Sequence, residues 1–577
     1  MNIQAILVSR FKTALASLDA ADAAVPVSKS TRPEFGEYQF NGAMGLAKIK
    51  RCPPREVAQQ ILDAVELDDI ADKCEIAGPG FINIHLSADW LAQQANATLH
   101  DPRVGVPAQP EQTIVVDYSA PNLAKEMHVG HLRSTIIGDA VAKTLGFMGH
   151  NVLRQNHMGD WGTQFGMLLA HLNDKLQANE VAETALSDLE DFYRAAKVRF
   201  DNEDGFADRA REYVVKLQGG DAQCLALWQN FIDVSIAHSE EVYQKLNVTL
   251  TRDDVMGESA YNHDLANVIS ELQAQGVAVE DAGAQVVFLD ELADKNGKPA
   301  VYIVQKSGGG YLYATTDLAA IRYRKGQLNA TRTLIFTDAR QALHFKQTEI
   351  VARKAGFLAA DDQYQHCPFG MMLGKDGKPF KTRTGGTVKL VDLLDEAVER
   401  ASALLATRQN DFSADTLTQM AEQIGIGAVK YADLSKNRTT DYIFDWDAML
   451  SFEGNTAPYL QYAFTRIQSI FGKAGVDISS CDAVIAVEAS QEKSLVTKLL
   501  QYQDTLEQLV DDAAPHVLCT YLYELASLYM KFYEACPILK DDVSAEQKAS
   551  RLAICALCSE TMGHGLGLLG IATLDKM

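Results

Sequence analysis

The sequence lacks long runs of apolar residues. It contains no stretch of about 18 or more uncharged apolar residues, the length that a membrane-spanning helix needs. Residues 1–12 carry only a short apolar run, with no cleavage-site pattern after it. We therefore expect a cytoplasmic protein with no membrane partner.

Cysteines are few and odd in number. The nine cysteines are scattered along the chain, which argues against the disulfide framework of a secreted protein. The one Cys-x-x-Cys pair, Cys555 and Cys558, has no second ligand pair nearby and lies in an apolar stretch with helical spacing. Two core thiols are therefore favoured over a zinc site.

Positive charge is in deficit. Lysine and arginine number 53 against 76 aspartate and glutamate residues, so the net charge is −23. This balance argues against a general nucleic-acid binder, because Lys and Arg contacts to phosphates supply most non-specific affinity. Any RNA-binding surface must be local.

The chain is too long for one hydrophobic core, and about three to five domains are expected from its 577 residues. Residues 1–108 form a candidate first domain, which ends in a polar, proline-containing linker at residues 101–112. A buried-strand pattern at 113–118, a helix at 132–148 and a strand at 152–155 follow. This order predicts a βαβ unit of a parallel sheet, with a nucleotide site at its carboxyl edge.

Beyond the βαβ unit, the pattern of helix and strand signals changes twice. Residues from about 170 to 300 are charged and helical in pattern, and look like an insertion into the nucleotide domain. Strand signals return near 333–336 and 367–373, then mostly vanish from about residue 452. Leucine and aromatic residues at helical spacing predict a terminal helical bundle there.

The strongest chemical signal is His128-Val129-Gly130-His131, at the point where a helix follows the first buried strand. Two imidazoles at this spacing can face one anion, Gly130 leaves room for a flat base, and the helix N-terminus attracts phosphate. Taken alone, the pattern fits two surface histidines as well as it fits a nucleotide site.

The surrounding residues extend this signal. Residues 117–135 closely resemble the HIGH signature region of class I aminoacyl-tRNA synthetases in its arginyl form, and Asn156-His157-Met158-Gly159-Asp160-Trp161-Gly162 is similarly typical of that family. Further resemblance, in the family's order, lies at residues 311–317, 338–341, 369–374 and 454–462. Because the matches span nearly the whole chain, it is identified as a member of the bacterial-type arginyl-tRNA synthetases.

The resemblance implies an α/β fold with a Rossmann-like catalytic domain built on a parallel sheet, an α+β N-terminal domain and an all-α anticodon-binding bundle. It implies a ligase that converts L-arginine and ATP to arginyl-adenylate and pyrophosphate, then passes the arginyl group to the 3′ end of tRNA(Arg) and releases AMP. The expected domains are an elbow-contacting domain at 1–108, a catalytic domain at 109–390 with its insertion at about 170–300, a helical stem at 391–451 and the anticodon-binding domain at 452–577.

A selective arginine pocket needs a carboxylate and neutral acceptors in one plane, because a guanidinium is a rigid fork of donors that does not deprotonate. By resemblance Asp317 is that carboxylate; the residues alone favour a helix N-cap after Thr315 and Thr316. Tyr313, one helical turn earlier, would pack on or hydrogen-bond the substrate. The other expected arginine contacts are Ser119, Ala120, Asn122, His131, Asn156 and Gln341.

Adenylate formation depends on alignment and on cations placed where charge develops, and His128 and His131 are the first expected donors. The family's mobile KMSKS loop corresponds to residues 378–386, where the pattern is not met because Thr382 stands in place of the second lysine. Arginyl enzymes with this departure carry a lysine just before the HIGH tetrapeptide, here Lys125, whose alternative role is a solvated lysine paired with a surface acid. Catalytic assistance is expected from Lys381 and Arg383. Further ATP contacts are expected from Gly130, Gly159, Asp160, Gly370, Met371 and Leu373, the last three of which would hold the adenine by backbone contacts.

RNA contacts are less readable from residue types. In the first domain Phe35, Tyr38, Gln39 and Asn41 are candidates for stacking and base-edge contacts, although core packing of Phe35 and Tyr38 is at least as good an interpretation. Residues 436–442 combine positive charge with a tyrosine, as an RNA-facing loop should. Further candidates on the bundle side are Lys436, Arg438, Tyr459 and Arg466.

The resemblance also implies ATP as a substrate with Mg²⁺, no zinc, no tightly bound organic cofactor, a monomer, and arginine activation that requires bound tRNA. Three alternatives are less favoured. A cysteinyl synthetase would need a zinc ligand set, and a small nucleotidyltransferase with the His-x-Gly-His site would need neither terminal domain. A non-catalytic RNA-binding paralogue would have no reason to keep His128, His131, Asp317 and Lys125.

Overall fold

The N-terminal region packs helices on a four-stranded antiparallel sheet in the computed structural model, which describes residues 1–30, 32–181, 186–381, 388–407 and 412–577. The strand order is β1-β2-β4-β3. The elements are α1 (Ile3–Ser17), β1 (Val27–Lys29), β2 (Tyr38–Phe40), α2 (Ala43–Lys50), α3 (Pro54–Ala64), β3 (Ala71–Ala77), β4 (Phe81–Leu86) and α4 (Ala88–Thr98).

A parallel sheet of order β11-β10-β5-β6 forms the centre of the molecule, as the βαβ pattern predicts. Its first unit is β5 (Thr113–Asp117), α5 (Val129–Phe147) and β6 (Asn151–Gln155). The core of β5, Ile114 to Val116, is fully buried, which explains its continuous apolar sequence. The other two strands of this sheet, β10 (Arg332–Ile335) and β11 (Gln363–His366), follow the insertion in the sequence.

The insertion differs in part from the helical prediction. Its helices are α6 (Gln164–Gln177), α7 (Leu189–Asn202), α8 (Phe206–Gln218), α9 (Ala222–Lys245) and α10 (Leu265–Ala274). An antiparallel sheet of β7 (Val279–Asp281), β8 (Ala284–Leu289) and β9 (Ala300–Gln305) follows them. Short β-branched runs such as Ala300–Gln305 favour strands, and the charged surroundings obscured that signal.

The remaining elements complete the two halves of the chain. Helices α11 (Tyr313–Gly326) and α12 (Ala342–Lys354) flank β10, and β12 (Met372–Leu373) pairs with β13 (Tyr442–Ile443). The C-terminal part is helical, with α13 (Leu390–Ala406), α14 (Ala414–Leu434), α15 (Trp446–Met449), α16 (Ala457–Ala474), α17 (Ser490–Leu500), α18 (Tyr502–Asp512), α19 (His516–Ala535) and α20 (Ala545–Leu568). Among the described residues, no helix is long and apolar enough to cross a membrane.

A buried ion pair attaches α11 to the central sheet. Arg324 donates from Nη2 to Asp117 Oδ2 at 2.5 Å and from Nε to Gln155 Oε1 at 2.7 Å. Asp117 and Gln155 are the last residues of β5 and β6. The position of α11 is therefore tied to the carboxyl ends of two neighbouring strands.

Replacing Arg324 with methionine should destabilise the protein, because Asp117 would remain buried without its partner. We expect a loss of about 3–5 kcal/mol in the free energy of unfolding, measured by urea denaturation. Arg194→Met, which removes a pair with Asp191 that is about two-thirds exposed on both sides, is the control and should cost less than about 1 kcal/mol. Equal losses in the two variants would contradict this role of Arg324.

Candidate active site

The carboxyl ends of the parallel strands meet at one edge of the sheet. Asp117 is in register with Gln155 on one side and with Ile335 on the other, and Ile335 with His366. The motifs of the sequence follow these ends directly, at residues 118–131, 156–162, 336–341 and 367–373. This edge is where α/β sheets bind nucleotides and other ligands.

The two histidines of the first motif are fixed at the start of α5. His128 is the N-cap; its Nδ1 accepts from Gly130 N–H at 3.0 Å, while His131 Nδ1 accepts from His128 N–H at 3.1 Å. The two rings lie 4.0 Å apart. Because both Nδ1 atoms accept backbone hydrogens, each neutral ring carries its proton on Nε2. The pair can therefore donate two N–H groups to one anion.

Both histidines are neutral at physiological pH, because burial lowers their pKa values. Burial, reinforced by the neighbouring His128, lowers the pKa of His131 to about 3. Burial also lowers the pKa of His128; Glu190 opposes this effect and Lys125 adds to it. The histidines act as oriented dipoles beside the helix N-terminus, and Lys125 is a cationic side chain close to them.

The loop after β5 has an unusual backbone. Ser119 and Ala120 have φ angles of 71° and 46°, which residues other than glycine seldom adopt. Asn156 holds the loop, since its Oδ1 accepts from Ala120 N–H at 2.9 Å and its Nδ2 donates to Tyr243 OH at 2.8 Å. Tyr243 OH also lies 2.8 Å from Ser119 Oγ, and Thr135 donates to the same Oγ. Asn156 is completely buried.

Asp317 faces two histidines. His344 Nε2 lies 2.5 Å from its Oδ2, and His157 Nε2 lies 3.9 Å from its Oδ1. The N-cap of α11 is Leu312, so Asp317 sits inside the helix and does not cap it. Tyr313, largely exposed at the start of the same helix, packs its ring edge-on against His344 at 5.0 Å. An accessible carboxylate and an aromatic ring therefore share one face.

A second carboxylate lies close to Asp317. Burial, reinforced by the charges of Asp160 and Asp317, raises the pKa of Glu258 to about 7. Its backbone N–H donates to Met158 O at 3.0 Å, which attaches it to the 156–162 motif. Asp160 itself is buried and accepts from the backbone N–H and the hydroxyl of Ser259. This part of the edge is strongly acidic and suits a cationic side chain.

Lys125 is exposed and stands 4.2 Å above the ring of Tyr193 on α7. The neighbouring Glu126 faces His238, whose Nδ1 lies 3.2 Å from Glu126 Oε1. Within the described part of the chain, Lys125 forms no ion pair and is available to an anion. Four other predicted contact residues are also exposed. Asn122 lies on the loop after β5, Gly130 in the first turn of α5, Gln341 directly before α12 and Lys381 after β12, whereas Arg383 falls outside the described residues.

The backbone groups expected to hold adenine form hydrogen bonds within the protein. Gly370 N–H donates to Arg438 O at 2.9 Å, and Met371 N–H donates to Asp441 Oδ1 at 2.6 Å. Leu373 O accepts from Phe444 N–H at 2.8 Å. Residues 436–446 therefore already hydrogen-bond these backbone groups. Adenine contacts through the amides of Gly370 and Met371 would require residues 436–446 to move.

The structure of the same segment contradicts the predicted RNA contact of Arg438. Arg438 turns inward and donates to the backbone oxygens of Pro368, Asp512 and Ala513, near the C-terminus of α18. Tyr442 is buried, with the Arg133 guanidinium 5.3 Å from its ring. Carbonyls at a helix C-terminus attract arginine, so Arg438 is structural here. Lys436 remains exposed.

The residues of the first domain that were candidates for RNA contact differ in their burial. Tyr38 is fully buried and its hydroxyl accepts from Gln501 Nε2 at 3.2 Å, so the stacking role was wrong and core packing holds. Gln39 donates to Asn83 at 2.7 Å, and Asn41 and Phe35 are half-buried. On the bundle, Arg466 lies 4.7 Å above the Tyr533 ring, and Tyr459 packs near Tyr523. Residue type alone does not reveal which face of an element is buried.

Four functional side chains were not identified from the sequence: Tyr243, Glu258, His344 and His157. Three of them come from the insertion or from later helices, and only the fold brings them to the edge. His157 lies inside the quoted motif and His344 lies one turn beyond Gln341, so a helical projection from that glutamine would have found it.

Three family models match successive parts of the chain. They are the arginyl tRNA synthetase N terminal domain at residues 5–86, the catalytic domain of tRNA synthetases class I (R) at 93–446, and the DALR anticodon binding domain at 460–577. The second alone spans more than half of the chain.

Known proteins match this chain in sequence and in structure over its full length. The arginine–tRNA ligases of Pseudoalteromonas atlantica and Alteromonas mediterranea are each 70% identical to the chain, with 100% of both sequences covered. The crystal structure of Plasmodium falciparum arginyl-tRNA synthetase is 27% identical, with a TM-score of 0.86 over 100% of this chain and 99% of that one. The Thermus thermophilus arginyl-tRNA synthetase, at 22% identity and a TM-score of 0.84, covers 100% of both chains and has the same fold. On this evidence of sequence and fold, the chain belongs to the arginyl-tRNA synthetase family.

Proposed function

We propose that this protein ligates L-arginine to tRNA(Arg), first forming arginyl-adenylate from arginine and ATP and then esterifying the 3′ end of the tRNA. The observation that supports this most directly is one edge of a parallel sheet that carries a paired-histidine anion site and an acidic pocket around Asp317. An anion site suits ATP, and an acidic pocket suits a guanidinium.

Arginine recognition is assigned to both carboxylates of the pocket. Asp317 would accept from the guanidinium, in exchange for its contact with His344, and Glu258 would lie on another side of it. Tyr313 would cover the flat face of the guanidinium. The Ser119–Ala120 backbone, Asn122 and His131 would hold the α-amino and carboxylate end, while Asn156 acts by holding that loop. Gln341 would add a polar contact from the loop before α12.

ATP alignment is assigned to the start of α5. The Nε2–H groups of His128 and His131 would donate to phosphate oxygens, and Lys125 would neutralise the charge that develops on pyrophosphate. Lys381 and Arg383 would assist from the loop. This donor set consists of N–H groups, which suit phosphate oxygens and not a metal ion. Mg²⁺ would therefore arrive with ATP and be held mainly through the phosphates.

Roles for the outer regions follow from the family. Residues 1–108 would contact the tRNA elbow, 109–390 would carry the chemistry with their insertion at 170–300, 391–451 would form the stem, and 452–577 would bind the anticodon. Activation of arginine would require bound tRNA, and the protein would act as a cytoplasmic monomer. Exposed side chains such as Lys436 are better candidates for RNA contact than buried Tyr38 or inward-facing Arg438.

Arginine-dependent ATP–pyrophosphate exchange, with and without tRNA(Arg), tests the proposal. The parent should exchange with arginine and tRNA together. Asp317→Asn should lower kcat/KM for arginine by about 10²–10³-fold, because an uncharged amide cannot pair with the guanidinium. Lys125→Ala should lower kcat by a similar factor with little change in KM for arginine.

Two exposed residues provide matched controls for these variants. Asp361→Asn and Lys473→Ala change the same groups at solvent-exposed positions and should leave exchange unchanged. Exchange that followed another amino acid, or full activity in Asp317→Asn, would refute the pocket assignment.

The acidic pocket should make arginine recognition depend on pH. Glu258, with its pKa raised to about 7, is protonated below that value, and only its carboxylate pairs with a guanidinium. KM for arginine should therefore fall as pH rises from about 6 to 8, and level off above. Glu258→Gln should flatten this dependence, whereas the exposed control Glu280→Gln should keep it. An unchanged pH profile in Glu258→Gln would rule out this role.

A further inference from the structure

One buried lysine joins three separate parts of the chain. Lys430, on α14, is completely buried and its Nζ donates to Leu246 O at 2.6 Å and to Gly570 O at 2.9 Å. Leu246 directly follows α9, and Gly570 is the second residue after α20, the last helix of the bundle. Gly570 has a φ of 66°, and a Cβ there would collide with the Lys430 amine. The contact therefore depends on glycine as well as on lysine.

The surroundings of this lysine are polar and charged. Lys143 and Asp139 from α5 are its charged neighbours, and they pair with each other at 2.9 Å. Asn247 Nδ2 donates to the same Gly570 oxygen at 3.3 Å. Burial lowers the pKa of Lys430 to about 7; Lys143 adds to this effect and Asp139 opposes it. In either protonation state the amine keeps enough N–H groups for both carbonyls.

The last turn of α9 links this contact to the arginine loop. Tyr243 lies on that turn, three residues before Leu246, and is buried. Its hydroxyl contacts both Ser119 and Asn156, the groups that hold the left-handed Ser119–Ala120 backbone. A displacement of the carbonyl that Lys430 binds would therefore move the tyrosine that holds the loop.

We propose that Lys430 and Tyr243 are positioning residues at the two ends of one turn of α9, coupling the seating of the C-terminal bundle to the backbone that holds arginine. This inference rests on the proposed function of that loop. Neither side chain touches the reacting atoms; each acts through the geometry of residues 119 and 120.

A double-mutant cycle tests the coupling. In arginine-dependent exchange at saturating tRNA(Arg), Lys430→Met and Tyr243→Phe should each lower kcat/KM for arginine by about 5- to 100-fold, with KM for ATP unchanged. The double variant should lose no more than the worse single variant, because both changes release the same turn. Multiplied losses, or equal increases in both KM values, would overturn the proposal.

Matched controls separate coupling from general damage. Lys245→Met removes an exposed pair with Asp395 from the same helix end, and Tyr521→Phe removes a buried hydroxyl that donates to Lys498 O in the bundle. Both should leave KM for arginine unchanged. If Lys430→Met does not fold, Lys430→Gln replaces it in the cycle with the same expected result. A parent without arginine-dependent exchange would count against the proposed function, whereas a parent with exchange and an additive cycle would count against the coupling alone.

Discussion

The structure depends on the alignment of four parallel strand ends, and Arg324 attaches helix α11 to two of them. Its guanidinium binds the last residue of β5 and the last residue of β6, both buried. Because Asp317 lies two turns earlier on the same helix, that ion pair also fixes the carboxylate proposed to bind arginine relative to the histidines of α5. A buried ion pair contributes little net stability, and its value here is geometric.

The site separates its charges by position. In the proposed arrangement, the neutral imidazoles of His128 and His131, the start of α5 and Lys125 would face the phosphates of ATP. The carboxylates of Asp317 and Glu258 would face the guanidinium of arginine. The low pKa of His131 and the raised pKa of Glu258 have the same first cause, which is burial. Burial thus keeps the donors uncharged and leaves the acidic pocket ready to lose a proton when a cation arrives.

The sequence predicts the central sheet well, since β5 and β6 lie at Thr113–Asp117 and Asn151–Gln155, where buried-strand patterns stand. It also places the histidine pair at a helix start, because that motif is local. The N-cap interpretation of Asp317 is wrong, since its helix begins earlier, at Tyr313. It fails where partners come from distant segments: Tyr243 and Glu258 reach the edge only through the folded insertion. It fails again where residue type is ambiguous, as with Tyr38 and Arg438, whose partners, Gln501 and the end of α18, lie far away along the sequence.

In the proposed site, carboxylates select the substrate by its charge. L-Citrulline, which has nearly the shape of arginine but no charge, tests this selection in tRNA-supported ATP–pyrophosphate exchange. We expect kcat/KM for arginine to exceed that for citrulline by about 10³-fold or more, because citrulline leaves the pocket's carboxylates without a cationic partner. A preference of less than about tenfold would mean that shape, and not charge, selects the amino acid, and would refute this role of the carboxylates.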